Sequence, residues 1–254
     1  MTRRTASRRW SEAAAVLRRH ALHHDRDVGL AILRALSTCS AGALDDDANL
    51  GSESVRSDLL HATRVVHATR ILAATNSAAT LRAALDDELD LLRQRVFAGL
   101  ALRYGHDEID RVRLQLELGS KRSHALALEW LEVTLSPDDR ATMPLLDPGV
   151  GHDELWRRLT RSFPLPVASA ERTLQDLIND PDFAWRRPWI TACAMFTSSG
   201  LAEPVLDLRR SGNLARPGNN AYRPPGHIEY DHDDIVKETI AALRLRAAGT
   251  HAVQ

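Results

Sequence analysis

The chain has 254 residues, 44% of them hydrophobic and only 5% aromatic, with a formal net charge of −1. That length can bury a large core, as one extended domain or two small ones. A core poor in rings must pack Leu, Ala and Val, which suits helices. The near-zero charge excludes a global field that would draw nucleic acid or anionic lipid, although Arg3, Arg4, Arg8, Arg9, Arg18 and Arg19 crowd the N-terminus. The two cysteines, Cys39 and Cys193, are far apart in sequence. They suggest neither a disulfide framework nor a zinc knuckle, and the expected address is the cytoplasm. No stretch reaches the roughly 18 apolar residues of a membrane helix.

Trp10 to Leu36 reads as two short helices. Ser11 caps the first, which turns Ala14, Leu17 and Ala21 to one side. Asp25 to Asp27 interrupts it, and Val28, Ile32 and Leu36, with Ala31 and Ala35, line the second. Thr38 to Gly51 reads as an acidic loop through Asp45, Asp46 and Asp47. Ser52 is then expected to cap a helix with Val55, Leu59, Ala62 and Val66 on one face. Ser77 opens the longest pattern, in which Leu81, Leu85, Leu89, Leu92, Val96 and Leu100 keep helical spacing as far as Tyr104. Gly105 supplies the positive-φ residue that ends such a helix. The chain restarts at Asp107, and Ile109, Val112 and Leu116 face inward until Gly119.

Leu118 to Asp147 is the stretch around which the rest is organised. Ser120 caps a helix with Ala125, Leu128, Leu131 and Leu135 on one face. Ser136-Pro137-Asp138-Asp139 restarts a short second helix, closed by Pro144 and then Asp147-Pro148-Gly149. Leu128 and Leu131 are both expected to be buried. Such a hairpin is the unit from which α-solenoids are stacked. Beyond it, a helix from His152 carries Leu155, Trp156 and Leu159 as far as Pro164 and Pro166. Ser169 to Asn179 is another helix, with Leu174, Leu177 and Ile178 apolar. Trp185, Trp189, Cys193 and Phe196 then form a stripe of large side chains, with Pro188 near the start of the helix, where it is tolerated. Ser211 to Gly226 is rich in Gly, Asn, Arg and Pro, and a last helix is expected from about Asp233 to Ala247, with Ile235, Thr239, Ala242 and Leu245 on one face. No stretch alternates at period two. The expected fold is all-α, antiparallel helical hairpins stacked as a HEAT/armadillo-like α-solenoid. The expected organisation is a helical-repeat domain over 1–200, a Gly/Pro-rich linker over 201–230 and a C-terminal helix and tail over 231–254.

The words Glu88-Leu89 through Phe97 with Leu102, Ala127-Leu128-Glu129-Trp130-Leu131 with Leu135, and Pro144-Leu145-Leu146-Asp147 carry a family likeness. So do Asp182 through Trp189-Ile190-Thr191-Ala192-Cys193-Ala194, and Ile235 to Leu245 with Lys237. On these words, residues 81–196 resemble the HEAT-like helical segment of a bacterial family. Its members join a transporter domain, of major-facilitator or ATP/ADP-carrier type, to helical repeats and often to a cyclic-nucleotide-binding domain. Neither of those domains is represented in the sequence, so the resemblance implies the helical module alone or a fragment of a longer gene. It implies a protein partner, such as the transporter or nucleotide-binding domain, and carries over no transport or nucleotide-binding residue.

Three constellations bear on chemistry. His20, His23 and His24 with Asp25 share a helical face at ligand-like spacing, against the simpler reading of a solvated helix end whose cations offset the dipole. The dipeptides His24-Asp25, His106-Asp107, His152-Asp153 and His232-Asp233 invite comparison with HD-type metal phosphohydrolases, although Asp at a helix start is first of all a good cap. Arg172, Arg186 and Arg187 among Trp185 and Trp189 suit stacking on bases, as in HEAT-like proteins that bind damaged DNA, against the reading of tryptophans filling a ring-poor core. No zincin, Walker-type or dinucleotide glycine motif is present. The sequence therefore favours a non-catalytic scaffold or regulatory module with a protein partner, with no catalytic, cofactor-binding or metal residue assigned and no cofactor. The alternatives are a nucleic-acid-binding HEAT-like protein, disfavoured by the charge, and a metal-dependent HD-type hydrolase.

Overall fold

The computed structural model describes residues 12–23, 25–39, 45–179 and 187–199, together with Thr239 and Ala241. All regular structure among these residues is helical. Residues 12–20 are helical and form α1. They are followed by α2 (Arg26–Cys39), α3 (Asp45–Leu72), a 3-10 turn (Asn76–Ala78), α4 (Ala79–Tyr104), α5 (His106–Leu118) and α6 (Lys121–Thr134). A second 3-10 turn (Asp139–Thr142) leads into α7 (Met143–Leu146), α8 (His152–Ser162), α9 (Ala170–Asn179) and α10 (Pro188–Ser198). The chain divides into two compact units. The first comprises Met1–Arg70 and Leu85–Val167, and the second Ile71–Ala84 and Ala168–Gln254.

In the first unit the expected stripes of α3 and α4 are inside: Val55, Leu59, Ala62 and Val66 on α3, and Leu85, Leu89, Leu92, Val96 and Leu100 on α4, are all buried. Each fully buried leucine contributes about 1.5–3 kcal/mol relative to exposure. The two helices approach closely where both are glycine. A Cβ on Gly51 would lie 2.6 Å from the Gly99 carbonyl oxygen, and one on Gly99 would lie 2.8 Å from Val55 Cγ2. Gly105 has φ 100°, so glycine ends α4 where a side chain would be strained. Ile109, Val112 and Leu116 of α5 are buried, and α5 packs on α6. Ala14 of α1 and Ala21 in the turn after it join Leu30, Ile32, Leu33 and Leu36 of α2 in a core cluster with Leu91, Ala98 and Leu102 of α4.

Several expectations change. α3 is already helical at Asp45, so the expected acidic loop is in part its first two turns, and Ser52 is interior, its hydroxyl donating to the Ala48 carbonyl at 3.0 Å. Asp47 escapes the solvent because Arg18 of α1 grips its carboxylate twice, at 2.5 and 3.1 Å. On α2, Ile32 and Leu36 are buried as expected, but Val28 is 43% exposed and Ala31 is exposed, and Leu30 and Leu33 complete the inward side. Asp25 does cap this helix, accepting from the Asp27 and Val28 amides.

The central hairpin keeps its Ser120 cap, while its inward face and its Pro144 stop signal change. Ser120 caps α6, accepting from the Ser123 amide at 3.3 Å. The inward positions are Ala127, Leu131 and Leu135, while Leu128 is half-buried and Ala125 exposed. Pro144 opens α7 at one of its first two positions rather than closing it. Asp139 is not a solvated helix-start carboxylate. It is buried and accepts from Tyr104 Oη at 2.5 Å, from Ser136 Oγ at 2.8 Å and from the Arg103 guanidinium. Ser136 in turn donates its amide to Tyr104 Oη at 2.9 Å. This knot fixes the end of α4 against the turn after α6.

In the second unit α9 packs on α10, and α10 on the first 3-10 turn. Thr197 Oγ1 donates to the Cys193 carbonyl at 2.8 Å and lies 3.5 Å from the Ser77 carbonyl. Leu174, Leu177, Cys193 and Phe196 are buried, and Trp189 is half-buried. Pro188 stands at the start of α10, as its missing N–H requires. Trp185, Arg186 and the Gly/Pro-rich linker lie outside the described residues. Of the expected last helix only Thr239 and Ala241 are described, both helical, with Thr239 buried and Ala241 exposed.

Candidate functional site

Two places in the first unit concentrate polar side chains on an apolar framework. The first is sealed. Ser54, Asp58 and His61 follow one another on α3 at spacings of four and three, and Glu88 and Arg95 stand two turns apart on α4. Arg95 Nε donates to Asp58 Oδ1 at 2.8 Å, and Ser54 Oγ donates to Asp58 Oδ2 at 3.3 Å. Arg95 Nη1 donates to the Arg26 carbonyl at 3.0 Å, passing over Gly29, where a Cβ would stand 2.4 Å from that nitrogen. Glu88 Oε1 receives His61 Nε2 at 3.2 Å and lies 3.4 Å from Arg26 Nη1. Burial pushes the His61 ring down to about 4, against the pull of Glu88, so the ring is neutral at pH 7. Burial likewise pushes the Asp58 carboxyl upward, while Arg95 holds it down. Every side chain of this centre except Arg26 is buried. Its chemistry is that of a structural lock between α2, α3 and α4.

The second place is open. Asp90, Arg93, Gln94 and Phe97 of α4, Leu116 and Glu117 of α5, and Leu146 and Pro148 at the end of α7 line a groove of about 250 Å³. The i, i+4 and i+7 spacing of Asp90, Gln94 and Phe97 carries one side of α4 from solvent into the core. Phe97, Leu116 and Leu146 form a buried floor. Above it Arg93 Nε donates to the Leu145 carbonyl at 2.8 Å, its guanidinium meets Asp90, and Gln94 accepts from Arg34 Nη2 at 2.9 Å. Glu117 is held by Arg113 at 2.9 Å. The rim is therefore charged but internally matched, and the floor is apolar. The volume is below the roughly 300–1,000 Å³ of pockets for drug-sized ligands. What fits such a groove is a large apolar side chain with neighbouring backbone on the rim.

The constellations singled out from sequence do not converge there. His23 Nδ1 accepts from the Asp25 amide at 3.0 Å, His20 is exposed, and His24 lies outside the described residues. His106 sits against Ser37 Oγ at 3.4 Å. His152 pairs with Asp86 at 3.2 Å while Asp153 turns to Arg70 at 3.3 Å, so this dipeptide is split between two partners. His232-Asp233 lies outside the described residues, and among those described no three His, Cys, Asp or Glu side chains are grouped to hold a metal ion. Arg172 pairs with Asp176 on its own helix at 3.0 Å. A contact that the sequence did not announce is Arg70 stacked 4.0 Å from the centre of the Trp156 ring, whose Nε1 donates to His67 Nδ1 at 3.4 Å. The buried centre left one legible signal: Ser54, Asp58 and His61 recur beside the apolar stripe of α3, where solvated residues have no place. The groove left none, because its three walls are far apart in sequence. Comparison with known protein families, with curated proteins and with solved structures found no match for this chain.

Proposed function

We propose that this chain is a non-catalytic helical-repeat module, built of hairpins stacked as a HEAT- or armadillo-type α-solenoid, that takes a segment of a protein partner into the groove between α4, α5 and α7. The groove carries this reading. Its apolar floor and matched polar rim are the anatomy of a protein-recognition surface, with a dry centre and a wet edge. Support for the repeat architecture comes from neighbours packing on neighbours: α5 on α6, α7 on α8 and α9 on α10. The family resemblance supplies candidates for the partner, a transporter domain or a cyclic-nucleotide-binding domain, and the reading assigns the chain to the cytoplasm. No described helix is long and apolar enough to cross a membrane.

The test is photo-crosslinking from within the groove. A benzophenone side chain at Gln94 or Pro148 is expected to capture a discrete protein in cells, while the same group at exposed Glu171 on α9 does not. If the groove positions capture nothing beyond what Glu171 captures, the reading fails. Duplex DNA binding by the purified chain, or metal-dependent phosphodiester hydrolysis, would replace it with one of the other two classes.

A further inference from the structure

The outward side of α6 carries a pattern that packing within the chain does not use. Ala127 and Leu131 turn inward, and α5 packs on this helix. On the other side Arg122, Leu126, Glu129 and Val133 recur at spacings of four, three and four, which places them on one stripe. Leu126 is 55% and Val133 77% exposed, and the two charged residues are exposed as well. Arg122 and Glu129 stand two turns apart, about 10 Å along the axis, too far to pair within the helix. Neither they nor the exposed Lys121 and Glu132 have an ion pair among the described residues. The order of these charges also opposes the dipole of α6. Both cations stand in the first turn, where carboxylates are favoured, and both carboxylates in the C-terminal half, where cations are favoured.

We propose that this stripe pairs with the same stripe of a second copy of the chain, the two α6 helices running antiparallel about a two-fold axis beside Leu126. Reversal of the helix is what makes its charges complementary. The midpoint of Arg122 and Glu129 falls between Ala125 and Leu126, and that of Lys121 and Glu132 between Leu126 and Ala127. A two-fold axis at this level brings each Arg122 to Glu129 of the other copy, with Lys121 and Glu132 meeting at the flank and Leu126 packed at the centre. The cationic first turn of each helix then lies against the acidic half of its twin, which relieves the conflict with both dipoles. Self-complementarity of this kind is what an isologous contact requires, and a foreign partner has no reason to impose it. One 14-residue helix offers less area than the roughly 1,200–2,000 Å² that stable interfaces bury, so the dimer is a weak one.

The experiment is sedimentation equilibrium of the full chain over a range of concentrations up to millimolar. A reversible equilibrium of monomer and dimer is expected. Arg122→Glu and Glu129→Arg should each weaken it about tenfold or more, because each sets like charges against one another across the axis. The exchange Arg122→Glu/Glu129→Arg should restore it, and an equimolar mixture of the two single variants should form a mixed dimer tighter than either forms with itself. Both positions are exposed, and an unchanged circular-dichroism spectrum checks that the variants fold. A chain that stays monomeric at every concentration overturns the proposal. So does a dimer that the single variants leave unchanged, or one that the exchange fails to restore.

Discussion

The α3–α4 pair buries charge and the α5–α6 pair exposes leucine. Between α3 and α4, Asp58, Glu88, His61 and Arg95 are almost wholly removed from solvent, whereas on α5 and α6 Leu118 is 81% and Val133 77% exposed. Neither arrangement is what apolar transfer alone would select. Removing ions from water costs several kcal/mol each unless geometry and hydrogen bonds restore it. The centre meets that condition through Arg95, which donates from Nε to Asp58 and from Nη1 to the Arg26 carbonyl. What such a lock supplies is register. Leucines slide past one another at small cost, but an α3 displaced by one turn against α4 takes the Asp58 carboxylate away from Arg95. The exposed leucines make no comparable demand within the chain, so changing them should leave folding intact and alter only contacts with something outside.

The contrast is broken most directly at Asp58. Asp58→Ala leaves Arg95 buried without its carboxylate and should cost about 3–5 kcal/mol in denaturant unfolding. The pair replacement Asp58→Leu/Arg95→Met should recover most of that loss, and a double variant as unstable as the single would mean that the charges matter for more than their mutual pairing. On α6 the inward face is tested by Leu131→Ala, expected to cost about 2–5 kcal/mol, against Leu126→Ala, expected within about 0.5 kcal/mol. Equal midpoints for the two would refute the face described above.

His61 gives the centre a pH signature. Its folded value of about 4 lies below the ordinary 6.5, so the unfolded chain takes up a proton first as pH falls. The stability contributed by the neutral ring is complete above pH 6.5 and is lost as the pH drops toward 4, by up to about 3 kcal/mol. Asp58, shifted upward, works in the opposite sense at the acid end of this range. The melting temperature of His61→Gln should therefore decline less between pH 6.5 and 4.5 than that of the unmodified chain, and parallel declines would show that the ring is not the responsible group. The smallest of these effects is steric. Gly99→Ala places a methyl against Val55 and the Gly51 carbonyl and should cost about 1–3 kcal/mol, measured by chemical denaturation.

Periodicity and punctuation in the sequence determined the helices and most of their inward faces. The leucine stripe of α4, the caps at Asp25 and Ser120, the glycine at 105 and the proline that opens α10 act within a turn or two of chain, where local sterics and hydrogen bonds decide the outcome. Polarity misled where a distant partner was needed. Asp47 reads as loop until Arg18 is brought to it, and Asp139 reads as a helix-start carboxylate until Tyr104 and Arg103 close over it. The face of α6 was ambiguous for a related reason: Leu126 and Leu128 are equally apolar, and only the neighbouring α5 selects Ala127 and Leu131 as the inward pair. The groove belongs wholly to the tertiary structure, and so does the buried centre apart from the spacing of Ser54, Asp58 and His61 along α3. Their walls come from three helices each, and the cost of a buried carboxylate or the shelter of an apolar floor exists only once those helices have met.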